Sequence, residues 1–229
     1  MAKPTARQIA GMIDHTLLKP DATLAQIHQL CLEARENNFT TVCVNPFYVS
    51  QVRTLLQNTG VKTCSVVGFP LGASRSSDKV LEAFSVLSVG AQEVDMVINI
   101  GALKDRDDAV VRNDISGVAG ACHVHGAILK VILETGLLTQ EEKGRACLLC
   151  IEAKADFVKT STGFGFGGAT VEDIRLMSAA VKEAGLGVKA SGGIRTYADA
   201  CAMINAGATR IGTSAGLAII KEAHASSAV

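Results

Sequence analysis

The chain has 229 residues, with 22 Lys and Arg against 22 Asp and Glu, and 48% of its residues are apolar. That length is enough for one large α/β domain. The balanced charge gives no electrostatic footprint for nucleic acid or an anionic membrane, so an anionic partner has to be met by a local site.

Short runs rich in Val, Ile and Cys alternate with longer segments of helical periodicity. A short helix over 5–12 precedes the first strand, IDHTLL. In chain order there follow a helix over 22–37, strand TTVCVN, a helix over 46–58 and strand KTCSVVGF. Next come a helix over 73–90, strand EVDMVINI, a helix over 106–124 and strand AILKVILE. The last third adds a helix over 139–153, strand ADFVKTS, a helix over 171–184, strand GVKAS, a helix over 196–206, strand TRIGTS and a helix over 214–222. Thr139-Gln-Glu-Glu142 and Thr170-Val-Glu-Asp173 carry the capping-box spacing, with Asp a weaker partner than Glu. Gly60, Gly90, Gly185 and Gly207 are expected to stop helices.

Eight strand–helix units with no hairpin between neighbours need crossover connections and a parallel sheet. In a chain of this length they suit a (β/α)8 TIM barrel with a short additional N-terminal helix, an open doubly wound sheet being the alternative. No linker or composition break divides 1–229, so one domain is expected. The opening MAKPTARQIAGMIDH lacks the apolar core of a secretory signal, and no run of about 20 apolar residues is present to span a membrane. The seven cysteines are therefore expected as reduced thiols in a cytoplasm, packed as small hydrophobes. Cys147-x-x-Cys150 lies within a helix rather than opening one, which favours packing over redox chemistry, and His123-x-His125 has no further ligands clustered nearby.

Strands of a parallel sheet are covered on both faces and should read as unbroken apolar runs. Four do not: Asp95 interrupts EVDMVI, Lys130 interrupts AILKVIL, Lys159 follows FV and Lys189 follows GV. A buried isolated charge costs several kcal/mol or more. A single such lysine reads as a strand end whose tip reaches water. Four on successive strands read as one inward-facing patch near the carboxyl ends of a barrel, with the Asp95 carboxylate partly neutralising it. A free lysine has a pKa of about 10.4, so about one in two thousand is neutral at pH 7. A second ammonium nearby and partial desolvation lower that value and make the amine a nucleophile toward carbonyls. The pattern points to imine chemistry, with Lys130, Lys159 and Lys189 all open as the attacking group.

Three glycine-bearing turns follow consecutive late strands: TGFGFGG, SGGIR and GTSAG. Glycine lets backbone N–H groups approach a ligand, and barrel enzymes often bind phosphate after strands seven and eight. Gly163-x-Gly165-x-x-Gly168 matches a dinucleotide fingerprint. The next strand ends VKASGG with no acidic residue for a ribose, which argues against a nicotinamide cofactor.

The segments EVDMVINIGALK, LKVILETGLLT, DFVKTSTGF, VKASGGIRT and RIGTSAG resemble the deoxyribose-phosphate aldolases, in order and spacing, from about Ile13 to Ile220. The resemblance implies a class I aldolase on a (β/α)8 barrel, needing neither metal nor cofactor, that cleaves 2-deoxy-D-ribose 5-phosphate to acetaldehyde and D-glyceraldehyde 3-phosphate. It implies that Lys159 is the Schiff-base lysine, that Lys189 depresses its pKa and assists proton transfer, and that Asp95 relays protons through water. It further implies that Lys130 lines the same pocket, and that Thr162, Gly163, Gly192, Gly193, Gly212 and Ser214 contact phosphate. The partners implied are small aldehydes and sugar phosphates, with no nucleic acid or membrane, and a homodimer. Two departures bear on phosphate affinity and proton-transfer rate. Phe164 stands where some members carry lysine, and the tail EAHASSAV lacks the tyrosine that ends others. An imine-free sugar-phosphate isomerase or lyase and a barrel that binds without catalysis are the competing readings.

Overall fold

The strands form over the short runs rich in β-branched and thiol side chains: β1 (Ile13–Leu17), β2 (Thr41–Val44), β3 (Lys62–Val67), β4 (Glu93–Val97), β5 (Ile128–Ile132), β6 (Phe157–Lys159), β7 (Gly187–Ser191) and β8 (Arg210–Thr213). The computed structural model describes residues 3–165 and 167–226. Phe166 of the glycine-rich turn and residues 227–229 of the tail lie outside the described residues. All eight strands pair in parallel in sequence order, and β1 pairs with both β2 and β8. The sheet is thus a closed barrel, and the open doubly wound alternative is excluded.

The helices are α1 (Ala6–Ala10), α2 (Leu24–Asn37), α3 (Val49–Leu55), α4 (Ser76–Ser88), α5 (Ile100–Lys104), α6 (Asp108–Val124), α7 (Gln140–Glu152), α8 (Val171–Val181), α9 (Tyr197–Ala206) and α10 (Gly216–Ser226). Among the described residues none is long and apolar enough to cross a membrane. Side chains alternate across each strand with period two. Ile13, Val42, Val94, Leu129, Val158, Val188 and Ile211 face outward into the main apolar core beneath the helices, all fully or almost fully buried. Burying such a residue is worth about 1.5–3 kcal/mol, so this shell offsets an interior that carries charge. The alternate positions face inward. There Cys43, Cys64 and Val66 form a small second cluster with Leu18 and Phe69.

Several local expectations change. EVDMVINI stops being strand at Val97, because the Asn99 side chain accepts from Ala102 N and starts the short α5. The helix expected over 46–58 opens as a single 3-10 turn at Pro46–Tyr48 and ends at Leu55, so Gly60 does not stop it. Gly207 ends α9 in the left-handed conformation and Gly90, directly after the Val89 cap, ends α4 the same way at φ 108°, whereas Gly185 lies three residues beyond the cap at Lys182. Thr139 forms the reciprocal capping box with Glu142. Thr170 caps in one direction only, since Asp173 takes Lys143 at 2.6 Å instead. Thr139→Ala is expected to cost about 1 kcal/mol, read as a lower urea midpoint with an unchanged slope.

Candidate active site

The inward positions of the strands bring seven ionisable side chains together. Register sets the levels: Asp95 lies beside Lys130 across β4–β5, and Lys159 beside Lys189 across β6–β7. Lys159 and Lys189 each donate to the same oxygen, Asp95 Oδ2, at 2.7 Å, so their amines are close neighbours. Asp95 Oδ1 accepts from Lys130 at 2.8 Å. Lys189 also donates to Asp14 Oδ2 at 2.5 Å. Below this layer, Arg210 bridges Asp14 Oδ1 at 2.7 Å and Glu93 Oε2 at 3.0 Å, and Lys130 reaches Glu93 Oε2 at 2.7 Å. The Arg210 guanidinium stands over the Phe157 ring, 5.2 Å from its centroid.

The electrostatics follow from these contacts. Burial alone would raise the Asp95 carboxyl, but Lys130, Lys159 and Lys189 outweigh it and hold it well below the usual carboxylate range. Burial would lower Lys189, but Asp14 and Asp95 outweigh it and push the amine above its ordinary value. Lys130 is pushed up the same way, with Asp95 the leading partner against burial. Asp14 is held low against burial by Lys189, Lys130 and Arg210.

Above the network opens a cavity of about 410 Å³. Lys159 reaches it, while Asp95, Lys130 and Lys189 are not among its lining residues. Lys130 therefore belongs to the layer beneath the pocket and does not line it. Its strand partner is Asp95, and the residue level with Lys159 on β5 is Ile132. Thr162, Gly163, Gly192, Gly193, Gly212 and Ser214 all line the cavity. Gly192 and Gly193 have φ of 89° and 82°, a backbone conformation that a side chain would strain. A Cβ on Gly168 would sit 2.4 Å from Gly192 O, so the loop after β6 can press against the turn after β7 only without one.

Sequence reasoning missed several groups. Asp14, Glu93 and Arg210 complete the interior network. Lys19 and Arg195 bring two cations to the cavity. Glu134, at φ 56° and buried, accepts from Thr162 N and, at 2.5 Å, from Thr162 Oγ1. The Thr162 hydroxyl is thus engaged in shaping its own loop, where it also accepts from Phe164 N. Phe164 packs edge-on against Phe69, with centroids 5.3 Å apart. Asp14 and Glu93 carried a usable signal, since each is a carboxylate inside a segment already read as strand.

The remaining motifs are accounted for locally. All seven cysteines are buried and free, and burial pushes Cys147 up to about 12. His123 bonds Asp156 and His125 the Ala121 carbonyl, so the two rings point to different partners. Among the described residues the one group of three potential metal ligands is Cys43, Cys64 and Asp95, and three lysines already occupy that carboxylate.

A family model described as DeoC/LacD family aldolase matches residues 9–222. The chain is 57% identical over 215 residues to the deoxyribose-phosphate aldolase of Thermoanaerobacter sp. (strain X514), covering 93% of this chain and 96% of that protein. It is 57% identical over 219 residues to the deoxyribose-phosphate aldolase of Thermococcus kodakarensis, with 95% and 97% covered. Among solved structures, the tetrameric deoxyribose phosphate aldolase of Aeropyrum pernix superposes with a TM-score of 0.90 at 36% identity, covering 98% of this chain and 94% of that one. With matches this long over a barrel that gathers its lysines around one carboxylate, the chain belongs to the DeoC/LacD family of aldolases.

Proposed function

We propose that this chain is a class I aldolase that reversibly cleaves 2-deoxy-D-ribose 5-phosphate to acetaldehyde and D-glyceraldehyde 3-phosphate through an imine on Lys159. In the synthetic direction, unprotonated Lys159 Nζ adds to the acetaldehyde carbonyl carbon, and uptake of one proton with loss of water gives an iminium. Removal of a methyl proton sends its electron pair toward nitrogen and forms an enamine. The enamine carbon attacks the second aldehyde, whose oxygen takes a proton, and water then hydrolyses the new iminium to release the sugar phosphate and the amine. Asp95 and Lys189 move the protons, and Lys130 holds Asp95. Thr162, Gly163, Gly192, Gly193, Gly212 and Ser214 receive the phosphate, with Lys19 and Arg195 supplying positive charge.

The observation that carries this reading is the Lys159 amine. It is 3% exposed, bonds an oxygen of Asp95 shared with Lys189, and borders the cavity between the glycine turns. Borohydride reduction in the presence of acetaldehyde, followed by peptide mapping, is expected to leave an ethyl group on Lys159. No adduct, or one on a different residue, overturns the assignment and favours an imine-free sugar-phosphate enzyme. Because the iminium is itself the electron sink, turnover is expected to survive prolonged EDTA treatment, and loss on chelation would point to a metal. Lys189→Leu is expected to lower kcat by about 10²–10⁴ with the circular dichroism spectrum unchanged. An unaltered rate would remove Lys189 from proton transfer.

The barrel of the described residues contains every group this chemistry uses, so one domain suffices. A cytoplasmic setting is supported by seven unpaired thiols. A homodimer is consistent with exposed apolar side chains such as Phe47, Leu71 and Val124, whereas the Aeropyrum pernix relative is tetrameric. Light scattering giving a monomer or a tetramer mass would overturn the dimer.

A further inference from the structure

We infer that Glu93 and Arg210, which do not line the cavity, are positioning residues that close a neutral ring of alternating charge and leave Lys159 as the one uncompensated cation of the barrel interior. The inference rests on Lys159 being the imine-forming amine. The ring runs from Glu93 to Lys130 (2.7 Å), to Asp95 (2.8 Å), to Lys189 (2.7 Å), to Asp14 (2.5 Å), to Arg210 (2.7 Å) and back to Glu93 (3.0 Å). Three carboxylates alternate with three cations, each member touches a neighbour of opposite sign on either side, and Lys130 also approaches Asp14 Oδ2 across the ring at 3.5 Å. All six side chains are buried, Arg210 the least so at 10% exposure. Lys159 hangs on the ring by its contact with Asp95 Oδ2.

The charge count has a chemical consequence. With every member ionised, the ring is neutral and Lys159 adds one positive charge at the floor of the cavity, where its side chain is almost wholly buried. Loss of the Lys159 proton leaves the interior neutral, whereas loss of a proton from Lys130 or Lys189 breaks a ring that two carboxylates hold on either side. The ring therefore selects which of three buried amines is free to attack. Three further titratable groups face these residues. The thiols of Cys43 and Cys64 border Asp95 from β2 and β3. The Lys62 amine approaches Glu93 Oε1 at 3.6 Å from a side chain that is 45% exposed, where solvent screens it.

Charge-changing variants of the two lower members test this with opposite signs. Glu93→Gln leaves the ring positive and is expected to shift the acid limb of the kcat/KM profile to lower pH. Arg210→Gln leaves it negative and is expected to shift that limb to higher pH. Each shift is about one unit for a charge within roughly 10 Å at an effective dielectric of about 20. The double variant restores neutrality and is expected to return the limb to the wild-type position, and Arg210→Lys, which keeps the charge, to leave it there. Equal shifts of the same sign, or a fall in kcat with no shift, would mean that the two residues act only through structure and would overturn the inference. Should either glutamine variant fail to fold, borohydride trapping with acetaldehyde in the wild-type protein decides. The adduct is expected on Lys159 alone, with Lys130 and Lys189 unmodified. An adduct on Lys130 or Lys189 overturns the ring. A wild-type protein with no adduct on any lysine overturns the aldolase reading instead, so the two failures are distinguishable.

Discussion

Lys159→Met is expected to abolish turnover while leaving the protein at least as stable as the wild type. The loss of rate should be on the order of 10⁴- to 10⁶-fold, the scale for removing a covalent nucleophile from an otherwise intact site. Methionine keeps an unbranched stem of similar length and adapts to an irregular gap, so no large cavity is created. The stability argument turns on charge. Lys159 is buried at 3% exposure and offset by Asp95, which Lys130 and Lys189 already neutralise. Removing a buried ion with its own full complement of partners costs several kcal/mol, whereas removing one in excess relieves repulsion from its neighbours. A gain of 1 kcal/mol would raise Tm by about 2–4 °C in a chain of this size. Thermal melts beside turnover assays check both halves. A Tm several degrees below wild type would make Lys159 a structural cation, and retained turnover would assign the imine to another amine.

The barrel was legible because eight units alternate without a hairpin and because most outward strand positions are Val, Ile or Leu. The upper charges were legible for the converse reason, since Asp95, Lys130, Lys159 and Lys189 stand within or directly after apolar runs. Asp14, Glu93 and Arg210 were harder to assign. Each sits at or next to the first residue of its strand, where a charge ordinarily meets water. Only closure of β1 onto β8 brings Asp14 to Arg210 and Lys189, across 196 and 175 positions of sequence. The level of Lys130 was equally hidden, because alternation gives the face of a strand but not its stagger against the next. Glu134 left a weaker trace still. Its left-handed backbone and its hold on Thr162 depend on the loops after β5 and β6 meeting, which no local pattern announces.

Asp95→Asn is expected to damage both activity and stability, since one carboxylate serves three amines. Asparagine has nearly the same volume, so the change removes charge without opening a void. Its NH₂ group is a donor, and wherever it points within this cluster it meets an ammonium that also donates. Breaking a buried ion network by removing one partner costs about 3–5 kcal/mol, and losing a group that moves protons lowers kcat by about 10²–10⁴. Acid denaturation separates this from generic destabilisation. Burial raises the Asp95 carboxyl, yet Lys130, Lys159 and Lys189 carry it well below its ordinary value. A carboxyl depressed in the folded state contributes stability that is fully present above its unfolded pKa of about 3.9 and is lost as pH falls toward the folded value. The wild-type urea midpoint should therefore fall steeply below about pH 4, while the asparagine variant starts lower and falls less. Asp14, also held low by its cations against burial, remains in the variant, so the slope is reduced rather than abolished. Parallel acid slopes in the two proteins would show that Asp95 is not the carboxylate these lysines hold ionised.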